Sequence, residues 1–454
     1  MAPSDPPIQR TTSTRNRPTL SWTVAWILLG FGLLSVGWMV TYGYHLNLAP
    51  LYYGGLLSGF LLVVLSKRLS LGVVFHNVAN TLLLLVVGLC ALDAIHGLRT
   101  RSSRAAPSAQ RAFSFEVARG DPQQFRNWWK DYVQEWNRLF QEITMPDPSG
   151  QLPFRFRPGS QVQFRESLFS INSYGLRDRE FPFEKQGQYR IVALGESTTM
   201  GVTLQETDRP WSLALEERIR QSPDGPRPVQ VINAGVSGYT LADGLNLLRE
   251  TVLPLKPDLL ISYFGYNGFD FLIGPTSILR ETAPVRKSRP SPTLERFEYQ
   301  WNLQRYRRRN FQPDPDPVMV ARLTEGLLES HYAKLYADLI AVAQENDIPL
   351  VLASFNMAVD HGSAPEVIEF YRAVFPSVNF SILANQVHTR LIRSLAEQHE
   401  GVWFVDISDG LDGAHEHYID LVHFTQSGRE RLAQNLHTEL QDLLKAEEQR
   451  HGLP

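Results

Sequence analysis

Four short polar segments, each placed directly after an apolar run, carry the side chains that could do chemistry in this chain. They are Gly195-Glu196-Ser197, the segment with Asn233, Gly235 and Gly238, the segment with Gly265 and Asn267, and the pair Asp420 and His423. A serine hydroxyl becomes a good nucleophile when a histidine takes its proton and a carboxylate orients the imidazole. Ser197, His423 and Asp420 therefore have the residue types of a catalytic triad for acyl transfer.

The same segments supply candidate donors for an oxyanion. Acyl transfer needs preorganised N–H groups at the developing negative charge, each worth about 3 kcal/mol of activation free energy. Gly235 can offer a backbone N–H with no side chain in the way, and Asn267 can offer a side-chain amide. The backbone N–H of Ser197 lies at the start of a predicted helix. We expect Ser197, Gly235 and Asn267 to form the oxyanion hole.

Each of these residues also has a purely structural interpretation. Ser197 could cap a helix. Gly235 and Asn267 could be turn residues. Their order along the chain and their shared position after apolar runs favour catalysis. The α/β-hydrolase pattern G-x-S-x-G fits less well, because Thr199 occupies the position of its last glycine.

The elements that must position these residues alternate between strands and helices. Short apolar runs bounded by turn residues lie at 189–194, 229–234, 258–264, 348–355 and 402–407. Helix-like stretches lie at 208–221, 241–253, 317–345, 380–398 and 425–446. This alternation predicts a parallel sheet with helices on both faces. Ligands bind such sheets beyond the carboxyl ends of the strands, where all the candidate residues lie.

The four segments together resemble the SGNH hydrolases, often called GDSL esterases, over residues 189–446. The blocks appear in order as GES at Ser197, a glycine block at Gly235, GYN at Asn267, and D-x-x-H ending at His423. The resemblance implies a three-layer αβα, flavodoxin-like domain with a five-stranded parallel sheet. It also implies hydrolysis or transfer of acyl esters through an acyl-serine intermediate. We expect neither a cofactor nor a metal.

The chain departs from the family pattern at three places. Glu196 stands where aspartate is common, Thr198-Thr199 where hydrophobic residues are common, and Gly268 where aspartate is frequent. These departures leave the triad intact.

We interpret the chain as a hydrolase of acyl esters, with acetyl or short-chain groups as the expected substrates. Water at about 55 M normally outcompetes other acceptors, which favours hydrolysis over transfer. The alternatives are an O-acyltransferase that modifies envelope glycans, and a catalytically retired domain that acts as a scaffold or glycan-binding module. Asp420 could instead cap the last helix, although Thr425 is better placed for that cap.

The first hundred residues predict a membrane region. Three apolar stretches in the region 21–98 are each near the length that crosses a bilayer. They lie at about 21–44, 48–66 and 71–92. Cytoplasmic segments next to membrane spans carry an excess of Lys and Arg. Five basic residues precede the third stretch and four follow it, so charge only slightly favours a cytoplasmic tail at 1–20. We expect a multi-pass membrane protein whose catalytic domain lies outside the cytoplasm, an orientation that depends more on the family resemblance than on charge.

The remaining segments connect these regions. Residues 99–188 predict a linker, an amphipathic helix that begins at Asp121-Pro122 and packs on the soluble domain, and an extended lead-in. The lead-in contains a structural turn at Asn172, Gly175 and Arg177. The Pro- and Arg-rich segment 271–316 predicts an insertion that is either a lid or a disordered excursion. Residues 447–454 form a tail.

Composition excludes several other classes of function. The net charge of −3 gives no reason to expect a nucleic-acid partner. Cys90 is the only cysteine, so the chain has no internal disulfide. The segment AHEH at 414–417 has histidines, but its spacing favours a solvated loop over a metal site.

Overall fold

The computed structural model describes Phe115, Ala118, residues 120–202, Gln205, and residues 208–222, 228–272 and 317–451. These residues all belong to one compact unit, 109–454. The predicted membrane spans, the tail at 1–20 and most of the predicted insertion lie outside the described residues. Within the described ranges, no helix combines the length and apolar character that a bilayer crossing requires.

The lead-in consists of one long helix and two small hairpins. In chain order its elements are α1 (Pro122–Ile143), β1 (Thr144–Met145), β2 (Arg155–Phe156), β3 (Gln161–Phe164) and β4 (Ser167–Ser170). The Asp121 carboxylate caps α1 by accepting a hydrogen bond from the Gln123 N–H at 2.9 Å. The aromatic face of α1 is buried, and Phe125 stacks on Phe370 at 4.6 Å between ring centroids. The prediction that this helix packs on the soluble domain is confirmed.

The turn after β4 is structural, as predicted. The Asn172 side-chain oxygen accepts hydrogen bonds from the backbone N–H groups of Tyr174 and Leu176, both at 3.0 Å. Arg177 is buried, with its guanidinium 4.1 Å from the centre of the Phe169 ring. The same guanidinium donates to the Met200 carbonyl oxygen at 2.9 Å. This turn therefore connects the lead-in to the segment that follows Ser197.

The α/β part begins at Tyr189 and contains the predicted five-stranded parallel sheet. Its elements are β5 (Tyr189–Gly195), α2 (Ser197–Met200), α3 (Trp211–Gln221), β6 (Val229–Gly235), α4 (Leu241–Leu247), β7 (Leu259–Tyr263), α5 (Pro317–Leu328), α6 (His331–Glu345), β8 (Leu350–Ala353), α7 (Pro365–Arg372), α8 (Val378–Gln398), β9 (Val402–Val405) and α9 (Gln426–His451). The strand order is β6-β5-β7-β8-β9, and every pairing is parallel. All five predicted strands are confirmed.

The connections divide the helices between the two faces of the sheet. The chain steps from β5 to β6 in one direction and then from β6 to β7, β8 and β9 in the other. Because crossovers between parallel strands are right-handed, α3 lies on one face and the later crossover helices α4, α6 and α8 lie on the other. The contacts agree, since α3 packs with α9 whereas α6 packs with α4 and α8.

The helices differ from the predicted ones at four places. The last helix, α9, continues to His451 and so includes most of the predicted tail 447–454. The stretch 317–345 forms two helices instead of one, because Ser330 caps α6 with its side chain and interrupts the run. The stretch 241–253 begins as α4 and continues as a π-helical turn, Leu248–Val252. Helix α7 was not predicted. It is only eight residues long, too short for a strong periodic signal.

Two paired glycines at the carboxyl ends of β5 and β6 allow α2 to pack closely on the sheet. Gly195 and Gly235 are register partners. A Cβ at Gly235 would lie 2.2 Å from the Met200 backbone nitrogen, and one at Gly195 would lie 2.6 Å from the Tyr263 carbonyl oxygen. Backbone atoms cannot move aside as a flexible side chain can, so these positions exclude larger residues.

We expect Gly235→Ala to lower the free energy of unfolding by about 2–3 kcal/mol, the usual cost of forcing an extra methyl group into a packed site. Gly362→Ala is the control, because its nearest heavy atom lies at an ordinary contact distance of 3.6 Å. Urea denaturation of the full chain measures both variants. Equal stability of the two variants would contradict the close packing of α2 on β6.

Candidate active site

Ser197 is held at the carboxyl end of β5, at the first position of the short helix α2. The strand is fully buried, and the three residues after Ser197 are buried as well. Ser197 is only 9 % exposed. Its backbone N–H has no intrahelical partner, because the first N–H groups of a helix never do.

The structure brings Ser197, His423 and Asp420 together in one hydrogen-bonded line. The distance between His423 Nε2 and Ser197 Oγ is 2.7 Å, and the distance between His423 Nδ1 and Asp420 Oδ2 is also 2.7 Å. An ionised carboxylate can only accept, so Nδ1 carries the proton and Nε2 is left to accept the serine hydroxyl. This is the tautomer that a general base for Ser197 requires.

The Asp420 carboxylate is fixed by its own loop. It is fully buried, and its second oxygen accepts hydrogen bonds from the backbone N–H groups of Val422 and His423, both at 2.9 Å. These bonds orient the carboxylate toward the imidazole. The cap of α9 comes instead from Thr425, whose hydroxyl accepts the Gly428 N–H at 3.2 Å. The interpretation of Asp420 as the cap of the last helix is thus not needed.

The predicted role of Gly235 as an oxyanion donor requires correction. Its backbone N–H already donates to the Asn233 side-chain oxygen at 3.0 Å. Its carbon is enclosed by the backbone of Thr199 and Met200. Gly235 is therefore a packing position, and its N–H is not free to meet a substrate.

Gly238, in the loop after β6, has the properties expected of Gly235. Its φ is +81°, a backbone conformation that favours glycine, and no heavy atom lies within 4 Å of a Cβ built there. Gly238 is exposed, and in the described part of the chain its N–H has no acceptor. Nothing in the sequence separates the two glycines, because only the pairing of β5 with β6 shows that Gly235 ends the strand and that Gly238 follows it.

Asn267 lies in the 3-10 turn Tyr266–Leu272 that follows β7. Its side-chain nitrogen donates one hydrogen to the Tyr239 carbonyl oxygen at 2.9 Å, which fixes the amide and leaves its second hydrogen available. Gly268 has no room for a side chain, because a Cβ there would lie 2.8 Å from the Tyr332 ring. That contact explains why this chain has glycine where the family frequently has aspartate.

Glu196 is a functional candidate that the sequence reasoning missed. Its carboxylate is buried directly before Ser197 and accepts the backbone N–H of Gly265 at 2.6 Å and that of Asn267 at 3.1 Å. Burial raises the pKa of Glu196 to about 7, and the two backbone hydrogen bonds and nearby His423 oppose that shift. In the sequence, the only indication of a role in the site is the position of Glu196 directly before Ser197.

The histidines of the AHEH segment lie in a 3-10 turn, His415–His417, close to the triad loop. His417 makes a hydrogen bond of 3.1 Å with the Ser427 hydroxyl. In the portion of the chain that the structure describes, no group of three or more His, Cys, Asp or Glu side chains is arranged to hold a metal ion.

Comparison with known proteins agrees with this architecture. Residues 193–431, more than half of the chain, match the GDSL-like lipase/acylhydrolase family. The matched range contains Ser197, Asn267, Asp420 and His423. No curated protein matches the chain.

Several solved structures are similar to this chain. A lipase/acylhydrolase from Enterococcus faecalis is 20% identical, with 57% of this chain and 98% of that chain covered and a TM-score of 0.34. A family 3 carbohydrate esterase from Clostridium thermocellum is 15% identical, with 57% and 98% covered and a TM-score of 0.33. A mutant acetyl-xylooligosaccharide esterase from Geobacillus is 15% identical, with 57% and 96% covered and a TM-score of 0.32.

Proposed function

The chain belongs to the GDSL-like lipase/acylhydrolase family, and from this premise we propose that it is a serine esterase in which Ser197 is the nucleophile. The observation that carries the proposal is the continuous hydrogen-bonded line from Ser197 Oγ through His423 to Asp420. A retired family member would not need this line, because a scaffold or binding module uses neither a base nor a nucleophile.

The first half of the proposed reaction forms an acyl-enzyme. His423 Nε2 takes the hydroxyl proton as Ser197 Oγ bonds to the ester carbonyl carbon. The resulting imidazolium is stabilised by the Asp420 carboxylate, which remains ionised. The carbonyl–alkoxide bond then breaks, and His423 returns the proton to the departing alcohol. The acyl group is left on Ser197.

The second half releases the acid. His423 accepts a proton from a water molecule as that water attacks the acyl carbon, and Ser197 leaves with the proton that His423 returns. We propose water as the acceptor, as expected for hydrolysis. In both halves the oxyanion would receive hydrogen bonds from the Ser197 N–H, the Gly238 N–H and the free amide hydrogen of Asn267.

We further propose that the substrate carries a short acyl group, acetyl being the simplest. Ser197 is 9 % exposed, and Thr198, Thr199 and Met200 around it are buried. An acetyl group adds only one methyl beyond the carbonyl, so it needs the least space beside a nucleophile that is this little exposed.

A series of 4-nitrophenyl esters tests the acyl preference. We expect kcat/KM to be at least about 10-fold higher for the acetyl ester than for the octanoyl ester, since steric exclusion of about 1.4 kcal/mol corresponds to that ratio. A higher kcat/KM for octanoyl would overturn the short-chain assignment and leave the nucleophile assignment unaffected.

Fluorophosphonate labelling tests the nucleophile. A serine activated by a histidine attacks phosphorus and becomes covalently modified, whereas an ordinary serine hydroxyl does not. We expect one adduct per chain, located on Ser197 by peptide mapping, and no adduct in Ser197→Ala or His423→Ala. The control is Ser427→Ala, which removes a nearby hydroxyl bonded to His417 and should label normally. An adduct on another residue of an active preparation would reject Ser197.

We also propose that the enzyme is anchored in a membrane with its catalytic domain outside the cytoplasm. The support for the anchor is the three apolar stretches at about 21–44, 48–66 and 71–92. The orientation depends mainly on the family resemblance, because basic residues number five before the third stretch and four after it. An odd number of spans puts the two termini on opposite sides of the bilayer. The acyl ester would then belong to an envelope component, such as a glycan.

Protease treatment of spheroplasts tests this orientation. With a tag after Pro454, we expect the tag to be digested from outside while a tag before Met1 is protected. Detergent should make both tags sensitive. Digestion of the amino-terminal tag with protection of the carboxyl-terminal tag would reverse the orientation.

A further inference from the structure

Glu196 connects two parts of the site that the chain brings together from separate strands. It follows β5, whereas the turn that it holds follows β7. One carboxylate oxygen accepts the Gly265 N–H at 2.6 Å. The Asn267 N–H is shared between the two oxygens, at 3.3 Å from that one and 3.1 Å from the other. The residue before the nucleophile therefore fixes the backbone of the residue that carries the oxyanion amide.

The same turn is held on its other side. Gly268 lies against the ring of Tyr332, with no space for a Cβ between them. The Asn267 side chain is fixed in turn by its bond to the Tyr239 carbonyl oxygen. With Tyr332 on one side and Glu196 on the other, the position of the Asn267 amide depends on whether Glu196 can accept both N–H groups.

Only an ionised carboxylate accepts with both oxygens at full strength. Protonation turns one oxygen into an O–H donor, which cannot pair well with a backbone N–H. The groups that face Glu196 are His423 from the catalytic loop, Tyr263 from β7, and Tyr332 and Tyr336 from α6. Burial raises the pKa of all three tyrosines, so they stay neutral where Glu196 titrates.

We propose that Glu196 is a positioning residue whose ionised carboxylate holds Asn267 in the oxyanion hole, so that turnover depends on the charge of Glu196. This inference rests on the proposed esterase function. Glu196 takes no part in bond making. It acts through Asn267, and its protonation releases the turn and weakens stabilisation of the oxyanion.

A double-mutant cycle on the full chain with 4-nitrophenyl acetate tests the link to Asn267. Asn267→Ala should lower kcat by about 10²-fold or more, the usual loss for one oxyanion donor. Glu196→Gln should lower kcat by about 10-fold with little change in KM, because its amide group faces the Asn267 N–H as a second donor. In the Asn267→Ala background, Glu196→Gln should cost less than about 2-fold.

The pH dependence separates a positioning role from a merely structural one. Protonated Glu196 resembles glutamine, since each has one acceptor oxygen and one donor. The ratio of wild-type to Glu196→Gln kcat should therefore be near 1 below a pH of about 6 and rise to about 10 above a pH of about 8, with the change centred on the Glu196 pKa of about 7.

A control variant and a replacement variant make each outcome decisive. Glu184→Gln is the control, because Glu184 is exposed and forms its ion pair with Lys256 at the surface. If Glu196→Gln does not fold, Glu196→Asp replaces it in the cycle. The aspartate side chain is shorter, so its carboxylate should draw the turn with Asn267 out of position. This variant should therefore lower kcat only when Asn267 is present. Additive losses, or a pH-independent ratio, with an active wild type would overturn the positioning role. An inactive wild type would instead overturn the esterase proposal.

Discussion

The hydrogen bond between His423 and Ser197 joins residues that are 226 positions apart, and the rest of the fold makes that contact possible. The loop with His423 is anchored to the segment that follows β8 by a hydrogen bond of 2.9 Å from the Ala358 N–H to the Leu421 carbonyl oxygen. Arg429 holds it from the other side, donating to the carbonyl oxygens of Val202 and Phe424. One buried guanidinium thus ties the nucleophile segment to the histidine loop.

Much of this arrangement is predictable from the sequence, because parallel strands collect their carboxyl ends at one edge of a sheet. The five apolar runs predicted the five strands of the sheet. The residue types after each run then predicted which side chains meet there. Ser197, Asp420, His423 and Asn267 all lie at that edge, and helix α1 packs where its aromatic face predicted.

The parts that could not be predicted depend on contacts between strands. Gly235 and Gly238 differ by three positions, and only the pairing of β5 with β6 places one inside the sheet and the other in the open loop. The contact between Gly268 and Tyr332 joins the turn after β7 to helix α6, two distant parts of the same crossover. Glu196 looked like a simple departure from the family pattern until its bonds to the turn after β7 were known. Pattern and spacing carry no information about such partners.

The central claim is that catalysis proceeds through an acyl group on Ser197. Rapid mixing of the full chain with an isotopically labelled acetyl ester, followed by acid quench and peptide mapping, measures this intermediate directly. We expect labelled acetyl to appear on the Ser197 peptide within the first turnover and to decay at the rate of acetate release. Steady acetate release with no label on Ser197 at any time would contradict it.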